Sequence, residues 1–153
     1  GGIFMKIALG SDHAGFPLKR EIMEHLKTKN IEFKDFGTFS EDSCDYPDFA
    51  ERVGERVASK NYEFGILVCG TGIGISISAN KIPGIRAALC GDTFSAHASR
   101  EHNDANVLAL GQRVVGSGLA MDIVDTFLNA EFQGGRHKKR IDKITMIENK
   151  YSK

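Results

Sequence analysis

Short apolar runs alternate along the chain with longer stretches in which apolar residues recur every three or four positions. Met5 to Gly10 reads as a strand, and Leu18, Ile22, Met23 and Leu26 recur at helical spacing behind Pro17. Ile31 to Phe36 is the second strand, Gly37 to Pro47 a polar loop, and Phe49 to Ala58 a helix with Val53 and Val57 inward. Phe64 to Cys69 is a third strand, with a helix from about Ile73 to Asn80. Ile85 to Cys90 is a fourth strand and Val107 to Leu110 a fifth, with a helix over Thr93 to His102 between them. Gly116 to Asn129 and about Arg140 to Asn149 complete the pattern as helices, the last carrying Ile141, Ile144 and Ile147.

Most of the strand runs are apolar on both faces, and they alternate with helices. That predicts an α/β fold, a three-layer αβα Rossmann-like sandwich around a five-stranded parallel sheet, with a C-terminal helix. The order is taken as 2-1-3-4-5, which puts the loops after strands one and three at the switch point where ligands bind. Those loops are Ser11-Asp12-His13 and Gly70-Thr71-Gly72-Ile73-Gly74.

Composition narrows the function. A chain of 153 residues predicts a single domain, with Gly1 to Phe4 ahead of Met5 as an extension or expression remnant. Twenty basic residues balance twenty acidic ones, so bulk charge does not drive nucleic-acid binding. No apolar run has the length of a membrane span, and no signal peptide is visible. Cys44, Cys69 and Cys90 fit neither a disulfide framework nor a zinc spacing, which predicts a reducing, cytoplasmic setting.

The candidate chemistry centres on Phe64 to Ser76, a buried strand, a glycine loop and a first helical turn. Such a junction aims backbone N–H groups and a helix dipole at one spot, where an anion binds. Gly70, Gly72 and Gly74 make neither a dinucleotide fingerprint, since Ile75 stands at its third glycine, nor a P-loop, since no Gly-Lys-Ser/Thr ending follows. A tight turn that needs glycine for backbone reasons is the plain alternative. Cys69, at the strand's C-terminal end beside a helix N-terminus, stands where a thiolate is favoured, although a lone cysteine on an apolar strand is usually inert core. Cys44 and Cys90 lack that context.

Asp12 and His13 read either as a cap and polar turn or as a carboxylate and imidazole in the crevice. His102 ends a helix before strand five, and its loop is expected to open toward the strand ends where ligands sit. His25 lies on a charged helix face and reads as solvated. Arg136-His137-Lys138-Lys139-Arg140 is a basic run without interleaved aromatics, which weakens a nucleic-acid reading. Arg136 and Arg140 are four apart and share a helix face, a good phosphate clamp that Arg113 could join.

Together these residues resemble the type B ribose-5-phosphate isomerases, in the family that also holds allose-6-phosphate and galactose-6-phosphate isomerases. The resemblance runs from Met5 to about Asn149. It rests on Gly10 to Gly15, Asp45-Tyr46-Pro47, Cys69 to Ser76, Ala79-Asn80-Lys81, Gly84 to Ala87, Ser99 to Asn106, Gly111-Gln112-Arg113 and Gly134 to His137. It implies a metal-independent and cofactor-independent homodimer, or dimer of dimers, that interconverts ribose 5-phosphate and ribulose 5-phosphate. It implies Cys69 as the base, because the glutamate that one branch uses is replaced here by Ile75. His102 is then the ring-opening residue, and Thr71 has a supporting role. Asp12, His13, Asn103, Arg113, Arg136 and Arg140 match substrate-binding positions, with Gly70, Thr71, Gly72, Ile73 and Gly74 offering the loop itself. The resemblance also implies a site that uses both subunits. A six-carbon sugar phosphate is the alternative substrate, and a non-catalytic phosphosugar or nucleotide-binding module the alternative class, one that needs neither Cys69 nor His102.

Overall fold

A computed structural model describes residues 5–152, so the expectation for Gly1 to Phe4 lies outside the described residues. Five strands alternate with helices: β1 (Lys6–Ser11), α1 (Phe16–Thr28), β2 (Glu32–Asp35), α2 (Tyr46–Ala58), β3 (Phe64–Cys69), α3 (Ile73–Ala79), β4 (Ala87–Leu89), α4 (Thr93–Glu101), β5 (Val107–Gly111), α5 (Ser117–Asn129) and α6 (Arg136–Tyr151). All pairings are parallel.

The period-two alternation of each strand sorts its side chains between two cores. Ile7, Leu9, Ile66, Val68, Leu108 and Leu110 face α1, α4 and α5. Ala8, Leu67, Cys69, Val107 and Ala109 face α2 and α3. Ala8, Gly65 and Ala109 on the second face are small, which lets α2 approach closely. A Cβ on Gly65 would lie 2.7 Å from Val53.

The strand order is β2-β1-β3-β5-β4, not 2-1-3-4-5. Burial explains the exchange. Every residue of β5 is buried and needs a neighbour on each side, whereas β4 has three partly exposed residues and takes the edge. The chain therefore steps outward from β3 to β4 and back to β5. With right-handed crossovers, that reversal moves α4 to the opposite face of the sheet from α3, and Ala96 packs there with α5. The crevice between the ends of β1 and β3 is unaffected.

Two helices start earlier than their patterns suggest. Pro47 falls in the first turn of α2, where its missing N–H costs nothing. In α6 the Gly134-Gly135 pair, both at positive φ, breaks the chain just before Arg136, so the basic run forms the first helical turns. Only His137 and Ile141 of α6 are buried.

Lys19, which belongs by pattern to the polar face of α1, is fully buried. Its ammonium bonds Asp35 Oδ1 at 2.6 Å and the Thr38 carbonyl, pinning the loop after β2 against α1. Burial lowers its pKa, opposed by the Asp35 carboxylate. His25 is not solvated either, since its Nε2 lies 2.7 Å from Asp125 Oδ1 on α5.

Candidate active site

Cys69 ends β3, and its thiol is almost fully buried. The chain then turns through Gly70-Thr71-Gly72 into α3. Gly72 sits at φ 78°, and a Cβ there would lie 2.5 Å from Leu89 and 2.9 Å from the Leu110 carbonyl carbon, so glycine is required. This turn brings the Gly72 N–H to 3.1 Å from Cys69 Sγ, a hydrogen bond that strengthens when the sulfur carries charge. Thr71 Oγ1 accepts from the Ile73 N–H at 3.1 Å, closing the loop. The Gly74 and Ile75 N–H groups lie in the first turn of α3, ahead of any intrahelical acceptor. Ile75 itself points into the core and is fully buried.

The neighbours of this loop come from three other segments. The Gln112 and Arg113 N–H groups bond the Cys69 and Gly70 carbonyls at 2.9 and 3.0 Å, which lays the Arg113 guanidinium beside Gly70. Asp12 is buried, and its Oδ1 accepts from the Gly15 N–H at 3.0 Å, so it serves the turn into α1. Gly15 has no room for a side chain, as a Cβ there would lie 2.3 Å from the Val68 carbonyl oxygen. His13 Nδ1 accepts from the Cys44 N–H at 3.2 Å, which leaves the ring hydrogen on Nε2, a donor suited to an anion. The ring of Tyr46 covers Gly74 so closely that a Cβ would come within 2.5 Å of it. Of the other cysteines, Cys90 is pushed up to about 11 by burial and stays a thiol.

His102 is elsewhere. It follows α4, which runs antiparallel to the strands, so its loop opens at the N-terminal edge of the sheet rather than at the ligand-bearing edge. The Ala105 N–H bonds the Ser99 carbonyl, and the Asn106 carbonyl accepts from Gly65 at the start of β3. Cys69 pairs with Gly111 at the other end of the same two strands. The strand between Gly65 and Cys69 spans about 13 Å.

The His102 edge is itself a cluster. The His137 ring stacks on His102 with 4.3 Å between centroids and 14° between planes. Gln133 bonds the Glu101 carbonyl through its N–H and the Glu101 carboxylate through its side chain, which seats the start of α6 against α4. Arg136, Arg140 and Asn103 are exposed around this stack. Burial lowers the His137 pKa, and the charges of His102, Arg136 and Arg140 lower it further, against a pull from Glu101. Four cations in the first two turns of α6 oppose the helix dipole, so this end is strongly attractive to an anion.

Each chain thus carries two separate clusters of these residues. Cys69, the glycine loop, Asp12, His13 and Arg113 share one edge of the sheet, and His102, Asn103, Arg136 and Arg140 share the other. Sequence reasoning assigned no role to His137 or Tyr46. His137 lay inside a basic run, and Tyr46 lay in the Asp45-Tyr46-Pro47 motif without a partner to name.

A model of the ribose/galactose isomerases matches residues 7–144. The chain belongs to the ribose/galactose isomerase family. Ribose-5-phosphate isomerase B of Escherichia coli is 54% identical over 143 residues, covering 94% of this chain and 96% of that protein. Among solved structures of this family, ribose-5-phosphate isomerase B of Clostridium thermocellum superposes with a TM-score of 0.96 at 61% identity, covering 97% of this chain and all of that one. The Mycoplasma genitalium enzyme, solved with bound ribulose-5-phosphate, gives 0.92 at 44% identity over 97% of this chain and 99% of that one.

Proposed function

We propose that this chain is an aldose–ketose isomerase that interconverts D-ribose 5-phosphate and D-ribulose 5-phosphate, in a homodimer whose active sites are each built from both subunits. The observation that carries the reading is the buried Cys69 thiol, held by the Gly72 N–H at the C-terminal end of a central strand. It stands on the ligand-bearing edge of a parallel sheet, beside Arg113 and His13.

Isomerisation moves a proton from C2 to C1 through a cis-enediolate. One base can serve both steps: Cys69 as thiolate takes the C2 proton, and the resulting thiol returns a proton at C1. The oxygen that becomes negative needs donors already aimed at it, and the N–H groups of the Gly70 to Gly74 loop have that role. Thr71 supports the loop through its bond to Ile73. Ribose 5-phosphate arrives as a furanose, and His102 opens it by giving a proton to the ring oxygen as the C1–O4 bond breaks, while the anomeric hydroxyl gives its proton to solvent. Arg136, Arg140, Arg113 and His13 hold the phosphate, and Asp12 and Asn103 orient the sugar. Binding energy far from the reacting carbons fixes their position for proton transfer.

Within one chain His102 cannot reach a sugar bound at Cys69, because the length of β3 separates them. A second copy that brings its His102 edge to the first copy's Cys69 edge completes two sites at once, as a two-fold axis requires. Surface apolarity supports that assembly: Ile73, Leu89 and Phe94 are exposed near the Cys69 edge, and Ile144, Ile147 and Tyr151 on α6. The test is direct. The purified chain is expected to convert ribose 5-phosphate to ribulose 5-phosphate and to sediment as a dimer or dimer of dimers. No turnover, or an active monomer, overturns the corresponding half of the reading.

A further inference from the structure

His102 and Asn103 lie in a tight turn between α4 and β5, where the Asp104 and Ala105 N–H groups bond back to the Arg100 and Ser99 carbonyls. Asp104 follows them at φ 47°, a left-handed conformation that aspartate tolerates better than most residues. Two guanidinium groups from different elements close on this residue. Arg86, just before β4, donates from Nη2 to Asp104 Oδ2 at 3.4 Å and to the Asp104 carbonyl at 2.8 Å, and from Nε to the Asn103 carbonyl at 3.0 Å. Arg100, in the last turn of α4, donates from Nη1 to Asp104 Oδ1 at 3.1 Å and to the Ala105 carbonyl at 2.6 Å. Arg100 is buried and lies 4.5 Å over the Phe64 ring, so its end of the clamp is anchored in the core. Arg86 is held in turn to the residue just before β5, because its N–H bonds Asn106 Oδ1 at 2.8 Å.

We infer that Asp104, gripped between Arg86 and Arg100, is a positioning residue for the reaction: it locks the turn that presents His102 and Asn103 to the sugar bound on the partner subunit. The inference rests on the assignment of ring opening to His102. The clamp uses both carboxylate oxygens and three successive backbone carbonyls, from Asn103 to Ala105. The carboxylate ties β4, α4 and β5 to one point two residues from the imidazole. Its effect on the ring is set against His137, which supplies the surface on which His102 rests. The clamped backbone on one side and the stacked ring on the other restrict how the imidazole can turn. Ring opening needs that restriction, since a displacement of about 1 Å in a reacting group can cost about 10²-fold in rate.

The test compares Asp104→Gly, which keeps the left-handed backbone and removes the carboxylate, with Asp104→Asn, which keeps size and an acceptor, and with His102→Ala. Each is assayed on ribose 5-phosphate and on ribulose 5-phosphate, which has no ring to open. The His102 and His137 imidazole signals are followed by NMR in the intact protein. Because equilibrium fixes the ratio of the two kcat/KM values, the readout is kcat at saturation: Asp104→Gly is expected to lose roughly 10- to 10²-fold in kcat on ribose 5-phosphate and distinctly less on ribulose 5-phosphate. Its His102 signals are expected to lose the ring-current shift from His137, and Asp104→Asn to recover part of both. Equal losses on the two sugars with native His102 signals, or full activity of Asp104→Gly, overturn the inference. If His102→Ala itself loses equally on both sugars, the ring-opening assignment fails instead, and the NMR signals still decide whether Asp104 positions the ring.

Discussion

The imidazole rings of His102 and His137 lie face to face, nearly parallel and 4.3 Å apart. Two stacked imidazoles repel each other when both are charged, and Arg136 and Arg140 add to that repulsion at His137. Burial comes first among the forces that hold His137 below its ordinary 6.5, so the ring is neutral in the fold where an unfolded chain would be protonated. Between the lowered value and 6.5 the unfolded state binds more protons, so stability rises with pH across that window and is lost on acidification below 6.5. Thermal unfolding of wild type should therefore fall between about pH 7.5 and about pH 5 more steeply than that of His137→Gln, which has no such proton to gain. Parallel curves for the two proteins would remove His137 as the acid-sensitive group.

Cys69→Ala should abolish proton transfer while leaving the anion site in place. A drop in kcat of about 10²–10⁴-fold is expected on both sugars, the range for a general base. Inorganic phosphate, followed by calorimetry, should bind the variant as it binds wild type. Retained turnover would take the base assignment away from Cys69.

Shared sites make a distinctive prediction for mixtures. Assayed on ribose 5-phosphate, Cys69→Ala and His102→Ala chains are each expected to be strongly impaired alone. After unfolding and refolding together, half the dimers are hybrids, and each hybrid has one site with both native residues, so about a quarter of wild-type activity returns. No recovery despite hybrid formation, shown by native mass spectrometry, would place both residues of a working site in one chain.

Lys19→Met removes one partner of a buried ion pair and leaves Asp35 without its cation. Loss of one member of such a pair costs about 3–5 kcal/mol. Lys19→Met/Asp35→Leu should recover part of the loss, since no orphaned charge remains. The looser 37–45 loop should also raise KM in the single variant, because the Cys44 N–H in that loop orients His13. Denaturant unfolding and steady-state kinetics measure the two effects.

What could be read from the chain and what could not divides along physical lines. The strands and their helices were legible because runs such as Ile66 to Cys69 are apolar on both faces. The Cys69 loop was legible because glycines at 70, 72 and 74 constrain the backbone locally. The position of β4 was not, since edge and interior strands differ in burial, and burial of Ala87 to Leu89 depends on what packs beside them. His102 was assigned to the wrong edge of the sheet for a related reason. Its residue type suggested chemistry, but only the direction of α4 decides where its loop emerges. Lys19 looked like solvated surface because a helical pattern does not reveal a carboxylate that arrives from another strand.

The separation of Cys69 from His102 along β3 has a kinetic consequence. No loop or side-chain motion of a single chain crosses a hydrogen-bonded sheet, so on the shared-site reading a folded protomer is inert. Catalysis then begins as a second-order event between chains. Specific activity should decline as the protein is diluted through its dissociation constant, lag after rapid dilution by the lifetime of the pair, and return on concentration without refolding. An enzyme built this way has a working concentration as well as a working pH.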